Sequence, residues 1–431
     1  MSNDSSSPDT PRDFAVEVVR RLSAAGFEAL WAGGCVRDDL LGIAPKDYDV
    51  ATTATPQQVI ELFGKRRTVP VGVSFGVVMV LGANRKCGQI EVATFRSDGE
   101  YLDGRRPSTV KYCSAEEDAK RRDFTINGMF YDPLTEQVID FVGGREDLEA
   151  GVVRAIGDAG ARFTEDKLRL LRAVRFASTY EFDLDDSTAS AISDLRHEIT
   201  QVSSERIAQE LRRMLAHRTR AVSLRKLIET KLHENVFSGI ARAVSPTYFE
   251  KACACLRHLA EPTFEPSLAV LFATVFDSGQ DDRRQAQAGV RRECRKLKLS
   301  NSESDTICWI LHSANKSRDA ERQPLHVIKP ILANDRVPLL LDYLRATSCA
   351  ADQKPTDAEW LQTYLRETPT SILAPAPLID GSDLQALNIP AGPIFKKLLT
   401  IIRAEQLDEQ LLDRTSALER LRALAADQSD D

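Results

Sequence analysis

The sequence predicts an α+β chain: a sheet-forming region that ends near residue 150, followed by helices almost to the C-terminus. Three observations predict this. Runs rich in β-branched residues cluster early, at Val69–Val73, Gly76–Leu81 and Gln89–Phe95. Beyond residue 150 the apolar residues recur at helical spacing instead. Between Gly33 and Asp49 a double glycine leads through a short helix into two closely spaced aspartates, and the first region is organised around that run.

At 431 residues the chain has room for about three domains. Its 42% apolar and 28% charged residues are those of a soluble globular protein. No run of ~18 apolar residues occurs, so no membrane span is expected. Met1–Arg12 is rich in Ser, Asp and Pro and reads as a disordered lead-in without the apolar core of a signal peptide. Ala425–Asp431 reads as an acidic, fraying tail. The eight cysteines are scattered, and Cys253-x-Cys255 is too close for the usual zinc spacing, which fits reduced thiols in a cytoplasmic protein. No histidine precedes His197, so histidine-based catalysis is excluded from the first region. A net charge of −7 argues against a wholly basic coat for nucleic acid but leaves room for local basic tracks.

Taken in order, an amphipathic helix over Phe14–Phe27 precedes an apolar strand, Ala29–Ala32, that feeds Gly33 and Gly34. The glycines allow a tight turn whose N–H groups approach an anion, and a helix from Val36 to Leu41 places Arg37 beside it. Gly42 and Pro45 end that helix. A strand over Asp47–Val50 then puts Asp47 and Asp49 on one face and Tyr48 and Val50 in a core. Two carboxylates side by side repel unless a cation lies between them, so a phosphate cradle running into such a pair points to a divalent metal gripping a nucleoside triphosphate. Thr55 and Pro56 cap a helix that runs to about Phe63. In the strand around Glu91, Ile90 and Val92 take one face and Glu91 the other. Beside the Asp pair Glu91 would be a third carboxylate; an exposed strand glutamate fits the pattern equally.

Ser97–Ala119 is polar, with Asp-Gly twice and Arg105-Arg106-Pro107, and reads as a long mobile loop. Lys120-Arg121-Arg122-Asp123-Phe124-Thr125-Ile126-Asn127 then places three cations, Asp123 and Asn127 ahead of an apolar stretch. It reads either as a charged helix start or as a triphosphate grip, with Asp123 or Asn127 on a ribose hydroxyl. Thr164 is expected to cap one helix over Glu165–Phe176 that is apolar nearly all round, so some of its arginines must lie within protein. On it Glu165 and Arg169 can pair at i, i+4, Asp166 and Arg169 can present side by side, and Arg172 and Arg175 drift round the helix. Two basic tracks follow, each of seven cations: Arg206–Lys226 opposed by Glu210, and Arg283–Lys298 opposed by Glu293. Such runs are solvated faces or nucleic-acid tracks. The segments Asp380–Leu384 and Ile389–Pro393 read as tight turns into helices whose N-termini can accept phosphates.

Gly33-Gly34-x-Val36-Arg37-Asp38, Asp47-x-Asp49, Arg121-Arg122-Asp123-Phe124-Thr125 and Glu165-Asp166-x-x-Arg169-x-x-Arg172-Ala173-x-Arg175-Phe176 stand in one order. In that order the chain resembles class II tRNA nucleotidyltransferases, the CCA-adding enzymes, which share motifs with bacterial poly(A) polymerases. The matching covers roughly residues 30–215, with a weaker likeness over 377–421. The resemblance implies a small catalytic head with a mixed sheet over 13–150 and a helical neck with the nucleotide-selecting helix over 151–230. A helical body over 231–365 and an RNA-binding helical tail over 366–431 would follow.

It further implies magnesium held by Asp47 and Asp49, with Glu91 as third ligand or base. Gly33, Gly34, Arg37 and Arg122 would hold the triphosphate, with Asp123, Asn127, Glu165, Arg172 and Arg175 among the nucleotide contacts. Asp166 and Arg169 would read the base. Cytosine and adenine both pair an amino donor with a ring-nitrogen acceptor, which a carboxylate and a guanidinium match; guanine and uracil present a carbonyl and an N–H there instead. The implied partners are CTP, ATP and tRNA, the last on Arg291, Arg292, Arg295 and Lys296; no membrane and no obligate protein partner are expected.

The stretch Lys65–Gly72 lacks the histidine of the poly(A) polymerase subgroup, which favours tRNA, and no His-Asp dipeptide marks the phosphohydrolase domain of some relatives. CC-adding relatives lack the loop that Ser97–Ala119 retains, with Asp98, Arg105 and Arg106 available to the template helix. Full CCA addition is therefore the expected activity, with A-only addition and polyadenylation as alternatives.

Overall fold

The chain enters its first helix through Thr10, whose hydroxyl accepts from the Asp13 amide, and through Pro11, whose missing N–H costs nothing at that position. The structure is a computed structural model that describes residues 9–72, 75–98, 110–241, 246–277, 283–387, 389 and 392–426. It divides into one unit of residues 1–214 with 222–241 and a second of 215–221 with 242–431.

In the first unit α1 (Pro11–Ala24) buries Phe14, Val18 and Leu22. There follow β1 (Ala29–Ala32), α2 (Gly34–Leu40), β2 (Asp49–Thr52), α3 (Pro56–Phe63), β3 (Thr68–Gly72), β4 (Val77–Leu81) and β5 (Gln89–Thr94). Next come β6 (Arg96–Asp98), β7 (Val110–Tyr112), α4 (Ala115–Lys120), β8 (Phe130–Asp132) and β9 (Gln137–Ile139). Seven strands form one mixed sheet in the order β3-β4-β5-β2-β1-β8-β9. Within this sheet, among the described residues, β2 and β5 are the one parallel pair, and their register sets Asp49 opposite Glu91. All four residues of β1 are buried, and the fully buried Trp31 packs on Tyr48 at 4.8 Å between ring centres. Thr55 caps α3 as expected, and Gln58 adds a capping box that the sequence reading did not include.

Three sequence expectations are corrected here. The strand through the aspartates begins at Asp49, not Asp47. The pairing of β1 with β2 runs only from Ala29↔Thr52 to Trp31↔Val50, because Gly33 at φ 73° turns the chain away and ends the pairing on the β1 side. Asp47 stands in the bend ahead of β2. The segment 97–119 is not one loop. Arg96–Asp98 pairs with Val110–Tyr112, and Ser114 and Glu117 form a capping box that starts α4; residues 99–109, with Arg105 and Arg106, lie outside the described residues.

The remaining elements of this unit are α5 (Gly144–Ala150), β10 (Val152–Val153), α6 (Ala159–Glu165), α7 (Arg169–Thr179), β11 (Asp183–Leu184), α8 (Asp186–Leu195), α9 (Ser204–Leu215) and α10 (Arg220–Glu229). Short helices α11 (His233–Val236) and α12 (Ser238–Ala241) complete it. The third correction lies here. The helix expected over Glu165–Phe176 is two helices with a break at Asp166–Leu168. Asp166 is extended (φ −135°, ψ 103°), and its own Oδ1 accepts from the Leu168 amide, restarting the helix one turn on. Thr164 lies inside α6, where its hydroxyl donates to the Gly160 carbonyl; Asp158 is the cap.

The second unit is built from helices: α13 (Pro246–His258), α14 (Phe264–Asp277), α15 (Arg283–Lys296), α16 (Asn301–Lys316), α17 (Leu325–Leu332), α18 (Val337–Ala350) and α19 (Thr356–Glu367). After them come α20 (Thr370–Leu373), α21 (Gly381–Ala386), α22 (Pro393–Leu407) and α23 (Arg414–Ala426). One apolar cluster gathers Ile328, Leu332, Leu341 and Leu361; another gathers Leu384, Leu398, Ile402 and Leu421. Arg220, from the first basic track, is buried and donates to the carbonyls of Leu256, Leu259 and Glu261, so it caps the C-terminal end of α13 (Pro246–His258) and is not part of a solvated basic face. The Asp380 turn closes on itself through a capping box with Asp383, and Arg414 takes the other side of Asp383 at 2.5 Å. No described helix is long and apolar enough to cross a membrane.

Candidate active site

The turn at Gly33 exists because nothing larger fits. Its φ of 73° favours glycine, and a Cβ there would meet Arg122 Nη1 at 3.0 Å. The same turn opens a cavity of about 530 Å³ in the first unit. Into it the fold brings Gly33, Gly34, Arg37, Asp49, Glu91, Arg122, Asp123, Asn127, Asp166, Arg169, Arg172 and Arg175. Residues from β1 to α7, well over a hundred positions apart in the chain, thus share one wall. Asp47 and Glu165 are not part of the lining: Asp47 is exposed at the bend before β2, and Glu165 reaches the site through Arg169.

Asp49 is at the mouth of the cavity beside Glu91. Burial raises its carboxyl, the Glu91 and Asp47 charges raise it further, and Arg122 opposes them; the result is a carboxyl pushed up to about 6. Asp49 is nonetheless open to solvent on one side, so water screens part of that effect. Among the described residues no three His, Cys, Asp or Glu side chains converge into a closed metal cage. What the cavity wall offers instead is two carboxylates, Asp49 with Glu91 in register beside it. This suits a hard divalent cation that completes its shell with phosphate oxygens.

The arginines are held by carboxylates in a connected chain. Arg37 donates Nε and Nη2 to Asp38 Oδ1 at 2.9 and 2.8 Å, donates Nη1 to Asn127 Oδ1, and lies over the rings of Tyr180 and Phe176. Asn127 Nδ2 donates to Asp123 Oδ1 at 3.1 Å, and Arg172 Nε donates to Asp123 Oδ2 at 2.8 Å. Burial alone would raise Asp123, but Arg172 together with the Asn127 amide and Arg169 overrides it and brings the carboxyl down to about 2. Arg169 donates Nη1 to Glu165 at 2.6 Å and to the Arg162 carbonyl at 3.0 Å, and Nη2 to the Arg121 carbonyl at 3.3 Å. Arg175 Nε donates to the buried Glu210 at 2.5 Å. Asp166 accepts from Arg206 Nη2 at 3.2 and 2.9 Å.

The CCA-adding enzyme of Latilactobacillus sakei aligns with 33% identity over 418 residues, covering 94% of this chain and 96% of that one. The chain belongs to the CCA-adding enzyme family. The family model described as Poly A polymerase head domain matches residues 29–154, the one described as "Probable RNA and SrmB- binding site of polymerase A" matches 181–244, and the one described as "tRNA nucleotidyltransferase domain 2 putative" matches 283–421. The CCA-adding enzyme of Enterococcus faecalis is 41% identical over 227 residues, an alignment that spans 52% of this chain and 54% of that one. The crystal structure of the Bacillus stearothermophilus CCA-adding enzyme in complex with CTP superposes with a TM-score of 0.77 at 26% identity, covering 97% of this chain and 99% of that one. The Thermotoga maritima CCA-adding enzyme complexed with tRNA shares the fold at a TM-score of 0.64 and 21% identity, over 95% of this chain and 94% of that one.

For a family member read from sequence, the groups missed are those that hold the arginines. Asp118, 1% exposed, accepts from Arg121 at 2.6 Å, from Arg122 at 2.9 Å and from the Arg96 amide at 3.1 Å. Burial raises this carboxyl, and the two arginines more than reverse that. Its spacing three and four residues before Arg121 and Arg122 was a readable signal. Tyr180, whose hydroxyl donates to Asp38 at 2.8 Å, and Arg206 and Glu210 on α9 carried no signal of their own.

In the second unit, Arg291, Arg292, Arg295 and Lys296 lie on α15. Arg291 pairs with Asp305 at 2.7 Å and Lys296 with Glu293 at 2.7 Å, while Arg292 approaches Glu293 at 3.8 Å. Arg295 Nε donates to the Arg291 carbonyl at 3.3 Å. The side chains of Arg291 and Lys296 remain about half exposed and that of Arg292 about two-thirds.

Proposed function

We propose that this protein adds C and A nucleotides to the 3′ end of tRNA, taking them from CTP and ATP without a nucleic-acid template. The observation that carries the reading is the single cavity that holds the Gly33–Gly34 turn, the Asp49 and Glu91 carboxylates, the arginine chain and the Asp166/Arg169 pair. In the reaction the RNA 3′-oxygen bonds to the α-phosphorus and the bond to pyrophosphate breaks. Asp49, with Asp47 in the bend just ahead of it, would hold magnesium, which would lower the pKa of the attacking hydroxyl and neutralise charge on the triphosphate. A carboxyl pushed up to about 6 by burial and by the neighbouring Glu91 fits this, because a bound cation favours the ionised form and relieves the repulsion.

The chain's own residues supply the rest. The backbone at Gly33 and Gly34 lets the triphosphate come close, and Arg122 and Arg37 offer fixed guanidinium groups to it. Asp166 accepts the amino group of cytosine or adenine and Arg169 donates to the adjacent ring nitrogen. A base with a carbonyl and an N–H at those positions leaves both groups mismatched, which can reject it by ~10⁴-fold. The tRNA lies along α15, on Arg291, Arg292, Arg295 and Lys296, and the chain is organised as head, neck, body and tail, working in the cytoplasm.

The test offers tRNA lacking its 3′ end with CTP alone, ATP alone and both. Two added residues with CTP and three with both are expected. Arrest after two cytidines with both nucleotides, or a long adenosine tail, would overturn the reading; extension only of tRNA that already ends in CC would make the protein A-adding.

A further inference from the structure

Arg37 lines the cavity from α2 with only 6% of its side chain exposed. A guanidinium carries five N–H groups, and three of these are already bound. Nε and Nη2 donate to Asp38 Oδ1 and Nη1 donates to Asn127 Oδ1, which leaves one N–H on each terminal nitrogen. Two such groups suit two oxygens of a phosphate, provided that the plane of the guanidinium is fixed. The carboxylate that fixes it belongs to the next residue of the same short helix. Helix neighbours point about 100° apart and do not meet by helix geometry alone. Asp38 must therefore be turned toward Arg37 by a contact from outside α2.

Tyr180, at the C-terminal end of α7, makes that contact. Its hydroxyl donates at 2.8 Å to Asp38 Oδ1, the same oxygen that accepts both Arg37 bonds. Its ring centre lies 4.6 Å from Arg37 Cζ, so one side chain holds the guanidinium by its face and through its carboxylate. From these two contacts we infer that Tyr180 is a positioning residue for Arg37, which sets the affinity for the triphosphate part of the nucleotide and leaves the choice of base to other residues. The inference rests on the proposed role of Arg37 in holding the triphosphate.

The surroundings of Tyr180 suit this role. It reaches Asp38 from 142 positions along the chain, on a helix that Asp123 and Glu210 already hold through Arg172 and Arg175. Burial raises its hydroxyl, Arg37 opposes this and the bond to Asp38 adds to it; the group is pushed up to about 12 and stays a proton donor at neutral pH. Phe176 lies 5.1 Å from the same guanidinium and Asn127 keeps its hold on Nη1. Loss of Tyr180 therefore loosens Arg37 without releasing it.

The test measures single-nucleotide incorporation from CTP and UTP on tRNA lacking its 3′ end, and from ATP on tRNA ending in CC. The inhibition constant of inorganic tripolyphosphate against CTP and thermal melting are read on each variant. Tyr180→Phe keeps the ring and removes the donor. It should raise KM for CTP and ATP, and the tripolyphosphate constant, by about threefold to tenfold, with kcat and the preference for CTP over UTP unchanged. Tyr180→Leu removes both contacts and should raise the same constants further. Because Tyr180 acts through Arg37, adding Tyr180→Phe to Arg37→Gln should change nothing more. Constants unchanged in both Tyr180 variants, whatever their melting points, or a fall in kcat alone, would overturn the inference. So would an effect of Tyr180→Phe that persists in the Arg37→Gln background. If neither Tyr180 variant folds, Asp38→Asn weakens the same anchor from its other end: a raised tripolyphosphate constant supports the role and an unchanged one refutes it. Arg37→Gln by itself separates the two levels. A raised constant there with parent-like constants in Tyr180→Phe refutes only the positioning role, whereas tripolyphosphate bound by Arg37→Gln as by the parent refutes the triphosphate assignment on which it stands.

Discussion

Asp123→Asn tests whether the arginine chain is held by charge or only by shape. Asp123 is buried, accepts from Arg172 and Asn127, and ties α7 to the segment after α4. Its carboxyl goes from an ordinary 3.8 down to about 2 because Arg172 outweighs the cost of burial. A displacement of that size corresponds to roughly 2–3 kcal/mol at neutral pH. The asparagine keeps the shape and loses the charge, and it leaves Arg172, whose side chain is 31% exposed and so partly solvated, without its partner. The net loss should be about 2–4 kcal/mol, below the range for stripping a fully buried ion of its partner. For a unit of this size that is a fall of about 5–12 °C in Tm.

The sign of the pH dependence follows from the depressed carboxyl. Its stabilisation is present above the unfolded value near 4 and is lost as pH falls through 2, so about half should remain at pH 3. Denaturant unfolding of parent and variant at pH 7 and pH 3 reads this directly, because the other carboxylates cancel in the difference. The gap should narrow at the lower pH. A gap that stays constant or widens, or a variant as stable as the parent at pH 7, would refute the electrostatic account. In combination with Arg172→Met the two losses should be less than additive, as expected of residues that share one interaction.

Asp49→Asn should abolish nucleotide addition, and in the presence of a chelator it should melt no lower than the parent. The parent's carboxyl is pushed up to about 6 by burial and by Glu91, so ionising it costs stability above that pH and the amide avoids the cost; a lower melting point with circular dichroism altered would count against the metal assignment. Replacing Arg291, Arg292, Arg295 and Lys296 together by Gln should weaken tRNA binding and flatten the slope of log affinity against log salt, by up to about one for each phosphate that is no longer neutralised. An unchanged slope in a binding titration would leave α15 a solvated face.

Much of this protein could be read from local chemistry. Gly33, the Thr55–Pro56 cap, the β-branched strands and the i, i+4 pairing of Glu165 with Arg169 depend on residues within a turn or a strand of one another, and each is where its neighbours imply. Backbone rules of this kind need no distant partner. The break at Asp166 shows where that reading stops. Periodicity alone argued for a continuous helix, and what interrupts it is a side chain bonding its own backbone at Leu168 while Arg206, forty residues on, takes its other face. The same holds for the partners of the arginines. Sequence placed several cations near an anionic ligand, but which carboxylate each would find depended on how the sheet, α7 and α9 pack. Arg37 goes to Asp38 and Asn127, Arg172 to Asp123 and Arg175 to Glu210. A buried charge must be matched wherever the fold can supply its opposite, and when that opposite lies scores of residues away, only the tertiary structure decides which one it is.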